Sequence, residues 1–276
     1  MNQPNKYAAT SATLHRNIFE LIDQFSEEFR NMNGRIIDIG CGPGNTTRDI
    51  LVPCVGREAV IVGADISPEM IEYANQHYAV SDKLSFLELD MQTSELPKNL
   101  IEQFDHAVSF YALHWCKNTQ KALQNIYKLL RPGGKAIILT ISHHLNYDMY
   151  LEQEKDPRFA PYMQGSEKWT PPHQGCANAD EMMKKDLIAA KFKVEYCVNK
   201  WNTFTYPSLD TLVDLVMSVN PCVNKMPNDV QRECREDMKE RLKTKTVSTK
   251  GGSTVDCPIS VLRIVIQKPE NSEEIN

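Results

Sequence analysis

The fold is decided by the stretch Ile36–Asn45, Ile-Ile-Asp-Ile-Gly-Cys-Gly-Pro-Gly-Asn, and by Asp65, which follows 21 positions after Gly44. An apolar strand enters a glycine-rich turn, and a carboxylate closes the next apolar run. Glycine has no Cβ, so the backbone of such a turn can approach a ligand closely. A carboxylate at about this spacing can accept hydrogen bonds from ribose hydroxyls. The pattern predicts a doubly wound α/β sheet that binds an adenosine-type cofactor.

The spacing of the glycines separates two classes of cofactor. Dinucleotide-binding proteins carry Gly-x-Gly-x-x-Gly, which would require glycine where this chain has Asn45. The chain instead reads Asp-x-Gly-x-Gly-x-Gly, through Asp38, Gly40, Gly42 and Gly44. This spacing disfavours a nicotinamide-dependent oxidoreductase, as does the lack of a Tyr-x-x-x-Lys pair after the fourth predicted strand.

The composition of the chain excludes several other classes of protein. The 276 residues are 41% hydrophobic, enough for a sizeable α/β core, and the net charge of −5 offers no basic surface for nucleic acid. The N-terminus has no signal-peptide core, and no apolar run approaches the roughly 20 residues that span a bilayer. The eight cysteines form no Cys-x-x-Cys pair, so they are predicted to be reduced thiols. These features predict a cytoplasmic protein with no membrane association.

Strand-like and helix-like segments alternate along the chain. Continuous apolar runs are typical of parallel strands that are buried on both faces, and helical periodicity lies between them. The predicted strands are 35–39, 60–64, 84–89, 104–110, 135–141, 192–198 and 259–266. The predicted helices are 9–31, 45–53, 67–79, 118–130, 180–190, 208–219 and 228–245. The last strand is apolar at nearly every position, which predicts a place inside the sheet.

Three segments interrupt or precede this alternation. We predict one domain over 1–276, with cap elements from 1–31, 142–178 and 202–256. The segment 142–178 is rich in proline and glycine and shows little periodicity, so it is predicted to be irregular. It contains His143 and His144, which would point apart on an extended segment. No carboxylate or cysteine spacing accompanies them, so they are predicted to be loop residues, and no metal site is expected.

Two residue pairs, Asp90 with Met91 and His114 with Trp115, follow the third and fourth predicted strands. Open α/β sheets bind ligands at this edge. Asp90 could accept from an adenine amino group, or it could cap a turn. Met91 could contact the adenine ring, or it could fill the core. Farther along, His114 and Trp115 could contact a ligand, or they could form a partly buried aromatic pair.

With these features the chain resembles class I S-adenosylmethionine-dependent methyltransferases. Their first motif has the same glycine spacing, and a turn such as Leu129–Gly134 is common among them. The resemblance implies a Rossmann-like, doubly wound, seven-stranded and mostly parallel sheet with helical cap insertions, and S-adenosylmethionine as the cofactor. It implies that the cofactor contacts are Asp38, Gly40, Gly42, Gly44, Asp65, Ile66, Asp90, Met91 and Ser109.

The stretch Ser109–Trp115, Ser-Phe-Tyr-Ala-Leu-His-Trp, is similar to the juvenile hormone acid O-methyltransferases of arthropods. That resemblance implies methyl transfer to a small apolar carboxylic acid, like farnesoic acid or a juvenile hormone acid. Those enzymes typically carry a glutamine in the N-terminal helix, where this chain has Leu14 and His15. Cys41–Asn45 equally resembles the trans-aconitate methyltransferases, so a small polyacid is the alternative substrate.

The resemblance also implies which residues act on the substrate. His114 and Trp115 would orient its carboxylate as the catalytic residues. An ionised carboxylate can attack a methyl group without a general base, so neither a triad nor a metal is required. A non-catalytic adenosyl-binding protein is the remaining alternative, and the oligomeric state is left open. The predicted substrate contacts are Tyr7, Leu14, His15, Tyr111, His114 and Trp115.

Overall fold

The structure is a computed structural model that describes residues 12–248 and 254–270, apart from the side chains of residues 12–14 and 248. Its strands are β1 (Arg35–Ile39), β2 (Val60–Asp65), β3 (Leu84–Glu88), β4 (Phe104–Phe110), β5 (Leu130–His144), β6 (Lys193–Tyr206), β7 (Val247–Ser248) and β8 (Val255–Gln267). They form one sheet in the order β3-β2-β1-β4-β5-β8-β6, and the two-residue β7 pairs with β8.

The order of the strands reverses at β1. This strand pairs in parallel with β2 on one side and with β4 on the other, and the outer pairs β2–β3 and β4–β5 are also parallel. Ligands of open α/β sheets bind at such a reversal, beyond the carboxyl ends of the strands. The doubly wound, mostly parallel sheet is therefore confirmed. The last long strand lies inside the sheet, between β5 and β6, as predicted.

Helices connect the strands close to the predicted positions. The described helices are α1 (Ala12–Gln24), α2 (Ser26–Asn31), α3 (Val52–Cys54), α4 (Pro68–Tyr78), α5 (Thr119–Leu129), α6 (Leu145–Gln153), α7 (Ala160–Met163), α8 (Ala179–Ala189), α9 (Leu209–Val219) and α10 (Asn228–Lys245). A π-helix, Thr47–Leu51, precedes α3. The single N-terminal helix predicted over 9–31 is interrupted at Phe25 within its described part.

The prediction of an irregular segment over 142–178 was wrong for residues 142–153, which form the end of β5 and a helix. His143 and His144 end β5, and α6 follows directly at Leu145. This helix buries Leu145, Asn146, Tyr147, Met149, Tyr150 and Gln153, and its other three residues are half-buried. A helix that is buried on several sides has no amphipathic period in its sequence.

The described residues fall into two compact units. The larger contains the described parts of Asn2–Thr140, Ala177–Asn199 and Leu262–Asn276, and the smaller contains Ile141–Cys176 and the described parts of Lys200–Val261. In the larger unit, α5 and α8 pack with strand residues such as Ile138 in one apolar core. In the smaller unit, the Tyr150 hydroxyl donates to the Val216 carbonyl at 2.9 Å. Whether the smaller unit acts as a cap stays a prediction.

No helix within 12–248 or 254–270 is long and apolar enough to cross a membrane.

Candidate active site

The glycine turn after β1 is compact because its backbone takes conformations that side chains disfavour. Gly40, Gly42 and Gly44 have φ angles of +73°, +56° and +85°. A Cβ on Gly40 would lie 2.0 Å from the Cβ of Ala112, and one on Gly44 would lie 2.9 Å from the Cβ of Ala74. Both distances are far below a normal carbon–carbon contact. The turn therefore requires glycine at both positions, because a side chain there would overlap neighbouring protein atoms.

Asp65 is held against this turn. The Gly42 amide donates to its Oδ2 at 3.0 Å, and the Ser67 amide donates to its Oδ1 at 2.9 Å. Burial raises the pKa of the Asp65 carboxyl, and these two amides oppose that rise. Each carboxylate oxygen can accept more than one hydrogen bond. Asp65 thus has acceptor capacity for ribose hydroxyls at the place where the sequence predicts it.

Asp38 is a second buried carboxyl at the turn, with 2% of its surface exposed. The Thr47 hydroxyl, from the first turn of the π-helix, donates to its Oδ2 at 2.6 Å. Burial raises the pKa of Asp38 to about 7, against the Thr47 hydrogen bond, and the charge of Asp65 adds to the rise. A positive ligand group beside these two carboxyls would favour their ionised forms and so oppose the rise in their pKa values.

A cleft opens beside the turn and brings several predicted site residues together. His15, Asp38, Gly40, Gly42 and Tyr111 all line it. The His15 Nε2 lies 3.4 Å from the Thr46 hydroxyl, and burial lowers the pKa of this imidazole. The other lining residues are Ile18, Cys41, Asn45, Thr46 and Phe110, so no lysine or arginine is among the residues described at this cleft.

Tyr111 enters the cleft from a strained backbone. It follows β4 directly and has a φ of +57°, which is unusual for a bulky residue. Its amide donates to the Leu139 carbonyl on β5 at 2.7 Å, and its side chain is buried. Strain of this kind persists where surrounding contacts enforce it, often at functional sites.

Three predicted cofactor contacts have protein partners away from the cleft lining. Asp90 accepts from the Gln92 amide at 2.8 Å, which is the turn-capping contact that the sequence left as an alternative. Met91 is buried in the core of the larger unit. The Ser109 hydroxyl is buried and donates to the Ile39 carbonyl at 2.9 Å. Their roles toward a cofactor stay predictions.

The other predicted residues are placed as follows. His114 is buried and Trp115 is half-buried on a short 3₁₀ helix, with their ring centroids 5.1 Å apart. Ile66 is 59% exposed. Leu14 lies in α1, within the part whose side chains are not described, and Tyr7 lies outside the described residues. These contacts with a cofactor or substrate also stay predictions.

Sequence reasoning missed two polar residues of the turn and one apolar residue of the cleft. Thr46 and Thr47 follow the quoted stretch directly, and Ile18 lies three positions after His15 on α1. Residues three apart share a helix face. That spacing could have placed Ile18 beside His15, whereas no local pattern marks Thr47 as the partner of Asp38.

Within the described residues, no three His, Cys, Asp or Glu side chains are grouped closely enough to hold a metal ion.

Residues 37–138 match a family model described as a methyltransferase domain. This part of the chain is therefore similar to methyltransferase domains. The matched range runs from β1, through the glycine turn and Asp65, into β5. It therefore contains every predicted cofactor contact and both predicted catalytic residues.

Curated relatives extend the similarity beyond this domain. The juvenile hormone acid O-methyltransferase of Drosophila melanogaster is 29% identical over 244 residues, covering 86% of this chain and 81% of that protein. The Bombyx mori protein of the same name is 27% identical over 239 residues, covering 86% and 84%.

Solved structures share the fold of the methyltransferase domain. The BH2331 protein of Bacillus halodurans has a TM-score of 0.59 at 16% identity, over 90% of this chain and 98% of its own. The [4+2]-cyclase SpnF has a TM-score of 0.53 at 14% identity, over 90% and 80%. At these identities the likeness concerns the fold alone, and one neighbour is named for a different reaction.

Proposed function

We propose that this methyltransferase transfers a methyl group from S-adenosylmethionine to the carboxylate of an apolar carboxylic acid. Two relatives that match 86% of the chain are both named juvenile hormone acid O-methyltransferases. Their similarity supports carboxyl O-methylation, with a small apolar acid like farnesoic acid or a juvenile hormone acid as the substrate.

The observation that carries the cofactor assignment is the charge of the cleft. Asp38 lines it and Asp65 is bonded to its turn, and no lysine or arginine is described in its lining. S-adenosylmethionine carries a sulfonium and an ammonium group, which these carboxylates would balance. A dinucleotide pyrophosphate would instead add negative charge beside them. The glycine turn suits the methionine portion of S-adenosylmethionine, and Asp65 suits its ribose.

The reaction needs little chemistry from the protein. When bound, S-adenosylmethionine would supply an electrophilic methyl group. A substrate carboxylate is already ionised near neutral pH, so its oxygen forms the new O–C bond as the C–S bond breaks. The products are a neutral ester and a thioether, and no proton moves. The contribution of this chain would be to align the two reactants and exclude water.

His114 and Trp115 would orient the substrate carboxylate in this proposal, with Tyr7, Leu14, His15 and Tyr111 as further substrate contacts. The assignment of 1–31, 142–178 and 202–256 as cap elements belongs to the same proposal. Both catalytic assignments rest on the position of Leu113–Trp115 after the end of β4.

The test is to incubate the protein with methyl-labelled S-adenosylmethionine and a panel of carboxylic acids. Transfer of label to a base-labile ester is expected for apolar acids. Binding of the cofactor without transfer to any acid would favour the non-catalytic alternative.

A second measurement tests the catalytic assignment. Trp115→Phe keeps an aromatic ring but removes the indole N–H. We expect turnover to fall while the melting temperature stays close to that of the unmodified protein. A loss of stability with retained activity would show that Trp115 serves the core.

A further inference from the structure

A polar cluster in the smaller unit lies apart from every residue assigned above. It contains His143 at the end of β5, Asp148 on α6, and Gln174 in the loop that precedes α8. The His143 Nε2 lies 3.8 Å from the Asp148 Oδ2. The sequence had suggested that no carboxylate accompanies this histidine, and that expectation was wrong. Asp148 reaches it because α6 begins at once after the strand.

The orientation of the Gln174 amide is determined by its partners. Its Oε1 accepts from the backbone amide of His144 at 3.1 Å, and a backbone N–H can only donate. Its Nε2 donates to the Asp148 Oδ1 at 2.8 Å and to the His144 carbonyl at 3.1 Å, and it lies 3.0 Å from the His143 Nδ1. The amide nitrogen therefore faces both functional groups.

This contact also selects the tautomer of His143. An amide nitrogen cannot accept, so a hydrogen on the Nδ1 that faces it would have no partner there, and the neutral ring is favoured with Nδ1 unprotonated. The imidazole hydrogen then lies on Nε2, the atom nearest the second carboxylate oxygen of Asp148. Gln174 acts as a positioning residue that sets a donor beside an acceptor.

The separation of this donor and acceptor points to a ligand atom between them. At 3.8 Å they are too far apart for a direct hydrogen bond. An oxygen at about 2.8 Å from both would fit, because that is the usual hydrogen-bond length. A hydroxyl can accept from Nε2–H and donate to the carboxylate at once. A carboxylate ligand would meet the charge of Asp148, and an ammonium ligand has no lone pair for Nε2–H.

An exposed aromatic side chain adjoins the cluster. Trp201 on β6 is 61% exposed, and its ring centroid lies 5.3 Å from that of His143. The side chains of His143 and Asp148 are 17% and 33% exposed, so the polar pair is accessible too. An exposed indole beside a polar pair suits a ligand that has an apolar part and a hydroxyl.

We propose that His143, Asp148, Gln174 and Trp201 form a binding site for the hydroxyl group of an aliphatic alcohol. The apolar part of the ligand lies on the indole of Trp201. This site goes beyond the proposed methyl transfer, and its test requires no turnover.

The experiment uses three probes with the same tail: 1-octanol, n-octylamine and octanoate. The chain has three tryptophans, so the fluorescence of the unmodified protein is compared with that of Trp201→Phe. We expect 1-octanol to change the fluorescence of the unmodified protein, and we expect Trp201→Phe to lose that change. His143→Phe and Gln174→Leu should each weaken 1-octanol binding by about three- to tenfold, since each removes one hydrogen-bonding role.

Trp169→Phe is the matched control, because Trp169 belongs to the same unit but its ring contacts Lys225. It should keep the full response to 1-octanol. Melting temperatures establish that each variant is folded. The comparison uses the part of the fluorescence change that Trp201→Phe abolishes. In that part, an equal or stronger response to octanoate or octylamine would overturn the site, and so would a response to 1-octanol that survives Trp201→Phe.

Discussion

At the scale of single residues, Asp65 is the side chain on which cofactor affinity should depend most. Asp65→Asn keeps the size of the side chain but replaces one acceptor oxygen with a donor, which must face either the Gly42 or the Ser67 amide. Losing a charged hydrogen bond costs about 1.5–3 kcal/mol. We expect S-adenosylmethionine affinity to fall roughly ten- to hundredfold, measured by calorimetry.

The control for this variant lies on the neighbouring strand. Glu88 pairs with Asp65 in register, and its exposed carboxylate makes no described contact with the glycine turn. Glu88→Gln should leave cofactor affinity unchanged. Equal loss in both variants would mean that general negative charge, and not the position of Asp65, governs binding.

Asp38 should make stability depend on pH. Burial raises its pKa in the folded protein to about 7, well above the usual range of an aspartate, so the folded protein holds the proton more tightly. The tighter binding of this proton stabilises the folded protein. This stabilisation is fully present below about pH 4 and is lost as the pH rises to about 7. At about 1.4 kcal/mol per pKa unit, the loss is of the order of 4 kcal/mol.

Asp38→Asn tests this directly. The amide oxygen can still accept from the Thr47 hydroxyl, and the side chain does not ionise. In urea unfolding between about pH 4 and pH 8, the unmodified protein should lose stability relative to the variant until the pH reaches about 7, and the difference should then level off. Parallel curves would show that Asp38 does not titrate in this range.

Local sequence predicted the acidic and glycine residues of the turn because their spacing is itself the signal. Asp38, Gly40 and Gly42 line one cleft, and their contacts with a cofactor stay predictions. The partner of Asp38 was not predicted, because Thr47 carries no pattern of its own. Gln174 was missed for a similar reason: it contacts His143 from 31 positions away.

At the scale of elements, the turn after β1 and the turn after β4 are packed so closely that they should be mutually dependent. Gly40→Ala would place a methyl 2.0 Å from the Ala112 methyl and would impose a φ of +73° on alanine. Overpacking costs about 1–3 kcal/mol, and left-handed backbone about 1–2 kcal/mol. We expect a loss of about 2–5 kcal/mol in the free energy of unfolding.

The double variant Gly40→Ala with Ala112→Gly separates these two costs. It removes the methyl–methyl overlap but leaves the backbone strain, so roughly 1–2 kcal/mol of the loss should persist. Denaturant unfolding of the single and double variants provides the comparison. Full recovery would mean that the backbone shifts out of the left-handed region, and no recovery would mean that the overlap is relieved elsewhere.

The sequence predicted the strands of the larger unit well because a buried parallel strand is apolar at every position. The longest helix that it missed, α6, is buried on several sides. Burial of that kind depends on what surrounds a segment, and a single sequence does not contain that information. Similarly, β5 begins at Leu130 and is interrupted by a register shift around Arg131–Gly134, where the sequence predicted a turn before the strand.

At the scale of the whole molecule, charge should decide between the two candidate substrate classes. The chain carries a net charge of −5, and its described cleft is lined by a carboxyl but by no lysine or arginine. A monocarboxylate brings one charge, which the sulfonium of the cofactor can balance. Each further charge on a polyacid would have to leave water without a partner, at a cost of several kcal/mol.

The experiment compares kcat/KM for farnesoate, a saturated fatty acid and aconitate under one set of conditions. Both apolar acids should exceed aconitate by at least about a hundredfold, which corresponds to less than the cost of one uncompensated charge. Added salt screens exposed charges but screens buried ones much less, so the difference in kcat/KM should persist at high salt if desolvation causes it. If aconitate has the highest kcat/KM, the cleft must obtain cations that the described residues do not supply, and the chain would act as the trans-aconitate methyltransferases do.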